Sequence, residues 1–465
     1  MVFDSAVFLL TFLPIVYVLN RIIPKKFSNL FLVLASLAFY TAASQYYLII
    51  LIFSLLGAWL IGKFIDDNEG ISKKIAFLLG IVYNLGILVY YKYATFGIET
   101  VNGIAGKEIF KVPNIILPIG ISFFTFQAIS YIVDVYRGKT KAANSFFDVA
   151  LYISFFPRIT AGPIVQYRDI SKQINTRSVT NEKTAEGFKK FIYGLAKKVL
   201  ISNVLARCAD FVFGCEISAI DSGMAWIGAL AYTFQIYYDF SGYSDMAIGL
   251  SKMFGFDINA NFNYPYLSKS VTEFWRKWHI SLGAWFREYV YIPLGGSKKG
   301  RINTLRNLGI VFLLTGIWHG AAWTYIVWGI YNGVLVIIER VFVNKRIVNH
   351  KILSVIYCFL AVNFGWVIFR ADNLTFALRY VTRMVAPWKY GFASIPMENY
   401  VDKGILFGGF AAVIGMGFLK ILVPQRVQDK WNDSIVEAIY CVCILILSLA
   451  AIANGTYNPF IYFQF

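Results

Sequence analysis

Two of the three histidines in this sequence stand where an ionisable side chain is costly. His319 closes the apolar run GIVFLLTGIWH, and an ionisable residue at membrane depth is expensive enough to indicate a function. Neutral imidazole accepts a proton near neutral pH without a large pKa shift. We therefore predict that His319 is a general base; the alternative is a buried histidine that only hydrogen-bonds between helices. Gly316 and Gly320 beside it would let a substrate chain approach closely.

His279 lies in the segment FWRKWHISLGAWFRE, between Arg276, Trp278 and a second group of aromatic residues. It is a second candidate for the chemistry, and the alternative is a histidine that contacts lipid headgroups on a wet surface. The third histidine, His350, lies in the basic stretch NKRIVNHK and is interpreted as a solvated loop residue.

The string YYDFSGYSD places two carboxylates and several hydroxyls inside an otherwise apolar span. Charged groups in such a segment face protein or water rather than lipid. Asp239, Ser241 and Asp245 could bind a polar substrate or orient one of the histidines. Alternatively, the two aspartates form internal ion pairs, with Arg276 or Arg287 as candidate partners.

The composition shows which environment must hold these residues. Of the 465 residues, 58% are apolar, 18% aromatic and 15% charged, whereas a soluble domain has roughly 45–50% apolar and about 25% charged residues. So few charges cannot cover that much apolar surface in water, and disorder needs the opposite balance. The odd number of five cysteines argues against a disulfide scaffold. We expect an integral membrane protein that crosses the bilayer many times.

The formal net charge of +17 is explained by the positive-inside rule, because Lys and Arg gather in cytoplasmic loops and contact anionic headgroups. No basic run is interleaved with aromatic residues in the way that stacks nucleic-acid bases. The sequence also lacks a Walker motif, a zinc motif, a dinucleotide fingerprint and a nucleophile elbow. We expect no nucleic-acid partner, no bound cofactor and no metal.

A membrane helix needs about 20 mostly apolar residues. Apolar windows predict about eleven or twelve crossings, at residues 3–20, 28–43, 45–62, 75–97, 115–135, 191–213, 224–248, 308–317, 323–338, 352–369, 404–423 and 435–453. The segment at 308–317 counts as a crossing only if it passes fully through the bilayer. The basic turn at 24–26 and the basic loops at 63–74, 166–190 and 298–306 are placed in the cytoplasm, and both termini are placed outside.

Two stretches cannot be simple spans. Residues 149–165 are apolar but are broken by Pro157 and Pro163, and lipid cannot replace the backbone hydrogen bonds that are lost there. This predicts a re-entrant or interfacial element. Residues 255–306 mix aromatic and basic residues at helical spacing, which predicts amphipathic helices in the membrane interface, with their Trp and Tyr rings at headgroup depth.

Five long strings together carry a family resemblance. They are FPRITAGPIVQY (156–167), YYDFSGYSDMAIGLSKMFG (237–255), NFNYPYLSKSVTEFWRKWH (261–279), FWRKWHISLGAWFREYVYIPLGG (274–296) and GIWHGAAW (316–323). The sequence resembles the membrane-bound O-acyltransferase (MBOAT) family, specifically its bacterial alginate O-acetyltransferase branch, over most of the chain.

The resemblance implies an all-α polytopic fold in which re-entrant and interfacial helices form a funnel. It implies that His319 is the catalytic histidine and that His279 matches a second, less uniform polar position. The candidate substrate-binding residues around them are Asp239, Ser241, Asp245, Arg276, Trp278 and Trp318. We expect one membrane-embedded domain, residues 1–465, made of an N-terminal bundle (1–135), a catalytic core (136–320) and C-terminal helices with an aromatic tail (321–465).

The resemblance also implies a reaction. An acyl group, most simply acetyl, would leave a cytoplasmic thioester (acetyl-CoA or an acyl carrier) and cross the membrane to O-acetylate an envelope polysaccharide or peptidoglycan. The alternatives are D-alanyl transfer to teichoic acid from a carrier-protein thioester, or a transporter without chemistry. Expected partners are membrane lipids, the donor and an extracytoplasmic acyltransferase-like or esterase-like protein. The expected location is the bacterial cytoplasmic membrane.

The C-terminal tail, NPFIYFQF, follows the last apolar span. Its closely spaced aromatic rings could anchor the tail at headgroup depth. Alternatively, Tyr462 folds back toward the outer mouth of the funnel and carries the acyl group as a phenolic ester, since a phenol with a pKa near 10 leaves more readily than an alkyl alcohol. Similar tyrosine-bearing tails occur in bacterial envelope acylation systems.

Overall fold

The computed structural model describes residues 1–342, 350–392, 395–418, 434–455, 457–459 and 461, with positions 423, 424, 427 and 431. This described part is 77% helical and contains no strand, which confirms the all-α fold class. The α-helices in chain order are α1 (Leu13–Ile22), α2 (Lys25–Ser44), α3 (Leu48–Asp67), α4 (Gly70–Ala105), α5 (Ile121–Tyr136), α6 (Phe146–Ser154), α7 (Tyr167–Thr176), α8 (Asn181–Ala196), α9 (Asn203–Gly214), α10 (Ser222–Met253), α11 (Val271–Lys277), α12 (Ile280–Phe286), α13 (Arg301–His319), α14 (Trp323–Phe342), α15 (Lys351–Arg370), α16 (Leu374–Val385), α17 (Pro387–Tyr390), α18 (Lys403–Val413) and α19 (Ile435–Asn454).

Five helices among the described residues are long and apolar enough to cross a membrane. They are Lys25–Asp67, Gly70–Ala105, Trp323–Phe342, Ile352–Arg370 and Ile435–Asn454. Three shorter apolar helices are Phe8–Ile22, Ile121–Tyr136 and Lys403–Gly417. The first long segment contains two predicted spans, α2 and α3, which meet at the turn Gln45–Tyr47. The chain is thus a multi-pass membrane protein, and the number of eleven or twelve crossings stays a prediction.

The chain divides into two compact units, which we call the first and the second unit. The first unit contains residues 1–191 and 246–259, and the second contains residues 192–245 and 260–465. Helices α8 and α10 each contribute residues to both units. The single membrane-embedded domain stays a prediction.

Helix α5 is the centre of the first unit, because every residue from Ile121 to Val135 is buried. A helix with no polar face must be surrounded by other elements. It begins after Gly120, which has a φ of 73°. A Cβ on Gly120 would lie 2.3 Å from the carbonyl oxygen of Ile159. Only glycine therefore lets the interrupted segment around Ile159 pass so close to the start of α5.

The interrupted segment itself is a helix followed by buried turns, as its prolines predict. Helix α6 ends at Ser154, and residues 155–164 are buried inside the first unit. The charge of Arg158 faces protein, because a charged group in an apolar segment is costly when it faces lipid. Its Nη2 donates to the carbonyl oxygen of Tyr152 at 3.0 Å, and its guanidinium lies 5.7 Å from the ring centroid of Phe155.

In the second unit, α13 and α14 pack backbone to backbone at two glycines. A Cβ on Gly316 would lie 2.5 Å from the carbonyl oxygen of Tyr325, and a Cβ on Gly329 would lie 2.5 Å from that of Phe312. A Cβ on Gly320 would lie 2.2 Å from the Tyr325 ring. Small residues allow such close helix pairs in membranes. The prediction that Gly316 and Gly320 make room for a substrate is therefore wrong, because α14 fills that room.

The amphipathic block forms α11 and α12, followed by the π-helical turn Arg287–Tyr291. The rings of Trp278 and Trp285, which were expected at headgroup depth, are buried in the protein, and so is the ring of Phe274. The Trp278 ring lies 4.9 Å from the ring of Trp366 and 5.4 Å from that of Phe274, centroid to centroid. The aromatic face of this block thus packs on the core of the second unit.

Candidate active site

The break between α11 and α12 places His279 in a left-handed backbone conformation, with φ 45° and ψ 55°. Residues other than glycine seldom adopt this conformation, and it occurs often at functional sites. The backbone around it is held by two hydrogen bonds. The amide of Ile280 donates to the carbonyl of Asn261 at 2.9 Å, and the amide of Gly283 donates to the carbonyl of His279 at 3.1 Å. The position of the His279 ring is therefore set by the fold.

The side chain of Asn261 sets the tautomer of that ring. Its Oδ1 accepts the Ser281 amide at 3.0 Å and lies 3.3 Å from Nδ1 of His279. Its Nδ2 donates to Oγ of Ser244 at 2.9 Å. Because the amide group is committed to Ser244, the oxygen faces the ring, and a neutral imidazole must donate from Nδ1. The basic nitrogen of His279 is then Nε2.

Burial also decides the charge of His279, which lies outside the long apolar helices. The residue is 2% exposed, and desolvation by burial lowers its pKa from 6.5 to about 3. A buried imidazole resists protonation because the charged form loses its hydration. His279 is therefore neutral across the physiological pH range and not the solvated residue of the alternative interpretation.

His319 is the last residue of α13, and the extended Gly320 ends the helix after it. Its side chain is held among aromatic rings and is 4% exposed. The ring meets Trp328 at 5.0 Å and Phe369 at 5.3 Å between centroids, both edge to face. These contacts give the His319 imidazole one orientation.

The two histidines line the same small cavity, of about 80 Å³. The other lining residues are mostly apolar: Trp275, Trp278, Leu282, Gly283, Phe286, Val311, Phe312 and Thr315. Sequence motifs about 40 residues apart thus meet at one place, as the pairing of the two histidines in one active site requires. An apolar wall with two convergent imidazoles is suited to proton transfer away from bulk water.

A larger pocket of about 580 Å³ adjoins this cavity. The two share four lining residues: Trp275, Gly283, Val311 and Phe312. The larger pocket is also lined by three exposed arginines, Arg276, Arg287 and Arg340. Its one acidic lining residue, Glu339, accepts the backbone amides of Val271 at 2.6 Å and Thr272 at 2.9 Å. That carboxylate stabilises the start of α11, and the mouth of the site is cationic.

The two aspartates of the polar string form internal ion pairs, but with lysines that sequence reasoning did not consider. Oδ1 of Asp239 lies 2.6 Å from Nζ of Lys198, and Oδ2 of Asp245 lies 2.6 Å from Nζ of Lys197. The candidate partners Arg276 and Arg287 line the larger pocket. The two lysines are consecutive in a π-helical turn, Lys197–Ser202.

Of the remaining candidate site residues, the two tryptophans lie at the histidines and the others do not line the cavity or fall outside the described residues. Trp278 lines the cavity, and the ring of Trp318 lies 5.0 Å from that of His319 and 6.2 Å from that of His279. Ser241 is buried in α10. Tyr462 lies outside the described residues. Among the residues that the structure describes, no group of three or more His, Cys, Asp or Glu side chains is arranged to hold a metal ion.

The chain before Tyr462 turns into the protein. Ile461 is buried in the core of the second unit, and its amide donates to Oδ2 of Asp239 at 2.9 Å. Nζ of Lys198 donates to the carbonyl oxygen of Pro459. The buried ion pair therefore also holds the C-terminal segment.

The model of the membrane-bound O-acyltransferase (MBOAT) family matches residues 141–378, a range that contains both histidines and their cavity. The chain belongs to this family. It is therefore an O-acyltransferase with a multi-pass, helical membrane fold, as its sequence motifs predict.

Known proteins of related sequence agree with this assignment. The chain is 39% identical to a probable alginate O-acetylase of Pseudomonas putida, over the whole of both chains. It is 35% identical to a peptidoglycan O-acetyltransferase of Helicobacter pylori, over 83% of this chain and 80% of the relative. It is 32% identical to a teichoic acid D-alanyltransferase of Bacillus subtilis, over 55% and 69%.

Sequence reasoning missed two residues that organise the site. Asn261 stands at the start of the motif NFNYPYLS, which carried the resemblance, but no feature of the motif showed that its amide meets a histidine 18 residues away. Lys198 stands at the start of a predicted span, where a positive charge is explained equally well by a helix end at the membrane surface.

Proposed function

We propose that this protein transfers acetyl groups from a cytoplasmic thioester to hydroxyl groups of an extracytoplasmic envelope polymer. The observation that carries the proposal is the pair His279 and His319 in one small cavity beside a cationic pocket. A cavity of about 80 Å³ has room for a small acyl group and not for a long chain.

The chemistry follows from a neutral imidazole. A histidine nitrogen takes the proton of the acceptor hydroxyl as the oxygen attacks the carbonyl carbon of the thioester. The tetrahedral intermediate collapses by breaking the C–S bond, and the departing sulfur takes up the proton that the imidazole held. An ester and a free thiol result, with no change of oxidation state. We assign His319 as the base and His279, whose tautomer Asn261 sets, as the second proton-handling residue.

The donor is proposed to be acetyl-CoA or an acylated carrier, bound with its phosphates at the arginines of the larger pocket. Guanidinium groups bind phosphate through paired hydrogen bonds. Arg276, Arg287 and Arg340 supply three of them. The shared lining residues then let the thioester reach the histidines from that side. Trp278 and Trp318 would border the reacting group.

The acceptor is proposed to be a polysaccharide or peptidoglycan, because the relatives with the greatest coverage are named for those substrates. D-alanyl transfer to teichoic acid is the alternative, and it rests on a relative that covers 55% of this chain. We further propose a location in the bacterial cytoplasmic membrane and an extracytoplasmic acyltransferase-like or esterase-like partner, which would pass the acyl group on to the polymer.

We also propose that Tyr462 carries the acyl group between the two sides. In the first step the phenol of Tyr462 is the acceptor, and in the second an external hydroxyl attacks the phenolic ester and releases the tyrosine. The buried Ile461, held by Asp239, supports a tail that enters the protein over one that lies at the headgroups. Tyr462→Phe removes only the hydroxyl. It should reduce polymer acylation nearly as much as loss of His319, whereas an anchoring ring would tolerate the change.

The test is envelope ester content in cells whose only copy carries a substitution. His319→Ala and His319→Gln should each abolish acetate released from the envelope by mild base, and His279→Ala should lower it strongly. His350→Ala is the matched control, because that histidine is exposed in a loop. Immunoblots of the membrane fraction establish that each variant is present.

The same hydrolysate separates the alternatives. Release of D-alanine in place of acetate would replace the proposed acetyl transfer by the teichoic acid reaction. Near-normal ester content in either His319 variant, at normal protein level, would overturn the catalytic assignment. A transporter without chemistry predicts that His319→Gln, which keeps a hydrogen-bonding side chain, stays active.

A further inference from the structure

The first unit contains a pocket of about 640 Å³ that the acyl-transfer reaction does not use. It lies between the turn that joins α1 to α2 and the residues at the end of α7. Among the residues that the structure describes, its charged lining residues are all cations: Arg21, Lys25, Lys26 and Arg177. Four like charges around one space repel each other unless an anion lies between them.

Arg177 is held in place by hydrogen bonds to neutral groups. Its Nη1 donates to Oδ1 of Asn29 at 2.6 Å, and its Nη2 donates to Oγ of Ser28 at 3.0 Å. The guanidinium also lies 4.6 Å from the ring centroid of Phe256. All of these partners are neutral. The half-buried guanidinium is therefore oriented by the fold and still presents a full positive charge to the pocket.

The other three cations follow the same pattern. Arg21 donates to the carbonyl oxygen of Val179 at 2.9 Å and to Oδ1 of Asn181 at 2.8 Å, both neutral acceptors. Lys25 and Lys26 are exposed in the first turn of α2, and within the described ranges neither has a carboxylate partner. These cations come from two segments that are more than 150 residues apart in sequence.

Asp148 lies near these cations, but both of its carboxylate oxygens already accept hydrogen bonds from amide groups. Oδ1 of Asp148 accepts Nδ2 of Asn29 at 3.2 Å, and its Oδ2 accepts Nδ2 of Asn175 at 3.1 Å. Asp148 is not one of the lining residues, and it lies in the first turn of α6, where a carboxylate is favoured by the helix dipole. It therefore orients the two amides, and its charge also acts on Arg177 from outside the lining. One nearby carboxylate offsets one of the four cations, and the pocket keeps a net positive charge.

We propose that this pocket binds a phosphate-bearing ligand, either the headgroup of an anionic phospholipid or a soluble cytoplasmic phosphate compound. Two oriented guanidinium groups and two mobile ammonium groups match a phosphate, which accepts paired hydrogen bonds and carries the opposite charge. The hydroxyl of Ser28 adds a neutral polar contact. The volume lies within the range of roughly 300–1,000 Å³ that small-molecule sites occupy.

The predicted cytoplasmic position of this pocket is consistent with both sources of the phosphate. The basic turn at 24–26 and the segment at 166–190 were each predicted to be cytoplasmic, and here they line one pocket. Anionic lipids of the cytoplasmic leaflet attract basic residues near the surface. Soluble phosphates reach the same face from the cytoplasm. The pocket consists wholly of first-unit residues and shares no lining residue with the cavity of the two histidines.

Two binding measurements on the purified full chain distinguish the sources. In one, native mass spectrometry counts dioleoylphosphatidylglycerol retained by the protein against dioleoylphosphatidylcholine, which is zwitterionic. In the other, calorimetric titration measures binding of inorganic phosphate in detergent. We expect saturable binding in one of the two, weakened at least tenfold by Lys25→Gln combined with Lys26→Gln and by Arg177→Gln, and weakened by added salt.

The controls remove equal charge outside the pocket. Lys172→Gln, on the exposed side of α7, is matched to Arg177→Gln, and the pair Lys73→Gln with Lys74→Gln is matched to the lysine pair. Arg177→Gln removes hydrogen bonds to Ser28 and could loosen the fold. The exposed lysines carry no such contact, so their double variant keeps the test decisive.

Binding that is equal in pocket and control variants would overturn the proposal, as would absence of saturable binding in both measurements. His319→Ala should bind the phosphate probe as the unsubstituted chain does. Failure of the phosphate-site proposal can therefore be distinguished from failure of the acyl-transfer assignment.

Discussion

The buried pair of Lys198 and Asp239 provides a test of how the fold holds the C-terminal segment. Their side chains are 2% and 1% exposed, with Nζ and Oδ1 2.6 Å apart. Lys198→Met removes the positive partner and leaves Asp239 as a buried carboxylate. It also removes the hydrogen bond from Nζ to the carbonyl of Pro459. We expect a large loss of stability together with release of the tail.

The magnitude follows from the desolvated charge. Breaking a buried ion pair by removing one partner costs about 3–5 kcal/mol in free energy of unfolding, because the remaining charge has neither water nor a counter-ion. Replacing both partners by apolar side chains of similar volume is often neutral. The double variant Lys198→Met with Asp239→Leu should therefore recover most of the stability. It should not recover the tail, because the acceptor for the Ile461 amide is gone.

The neighbouring pair supplies a matched control on the same two helical segments. Lys197 and Asp245 are also 2.6 Å apart, but their side chains are 31% and 19% exposed. Partly solvated pairs contribute about 0–1 kcal/mol. Lys197→Met should thus cost at most about 1 kcal/mol by the same estimate and leave the tail in place.

Two measurements on the detergent-solubilised protein follow these effects separately. The apparent melting temperature reports stability, and digestion by carboxypeptidase, followed by intact-mass spectrometry, reports access to the tail. The reasoning would be refuted if Lys198→Met and Lys197→Met lowered the melting temperature equally. It would also fail if the tail of Lys198→Met stayed as resistant to digestion as that of the unsubstituted protein.

Three further predictions concern the histidine site. Asn261→Ala should lower kcat by up to about 100-fold with little change in KM, because a misplaced group loses its geometry for the reaction. Asn261→Asp, whose carboxylate favours the protonated ring, should move the acid limb of the pH–rate profile to higher pH. Burial lowers the pKa of His279 to about 3, so the folded protein should lose stability as pH falls from 6.5 toward 3, because the unfolded chain binds the proton more readily. His279→Asn should flatten that part of the plot of melting temperature against pH. Gly316→Ala should lower the free energy of unfolding by about 1–3 kcal/mol through overpacking, and it should reduce activity. In the same melting and ester assays, Gly309→Ala should have neither effect, because its Cβ would lie 3.9 Å from its nearest neighbour.

The fold class could be predicted, and His319 could be selected as a candidate, because both depend on local signals. Apolar fraction and the scarcity of charge identify a membrane protein without any tertiary information. An ionisable residue at the end of an apolar run is also recognisable from the sequence alone, since the free-energy cost of placing it in the membrane does not depend on knowing its neighbours. The long motifs that indicate the O-acyltransferase family are likewise continuous in sequence.

The partners of the polar residues could not be predicted, because they depend on which segments meet. Asp239 was paired with Arg276 or Arg287 in the sequence interpretation, since those arginines stand in an aromatic block of mixed character. In the structure the aspartate meets Lys198, 41 positions earlier. Asn261 is missed for the same reason, because its role depends on the left-handed backbone of His279. Periodicity carries no information about such a break.

The glycines show how helix packing and catalysis become one requirement in this protein. Gly316 lies three residues before His319, and Gly329 follows Trp328, whose ring meets the His319 ring at 5.0 Å. Because the two glycines bring the backbones of α13 and α14 into contact, the Trp328 side chain on α14 is close enough to contact the His319 ring on α13. A larger residue at either glycine would separate the helices and move the ring away from the imidazole that it orients. The close approach was expected to make room for a substrate, yet it orients the imidazole of the proposed base. The proposed place for the reacting group is the cavity that His319 shares with His279.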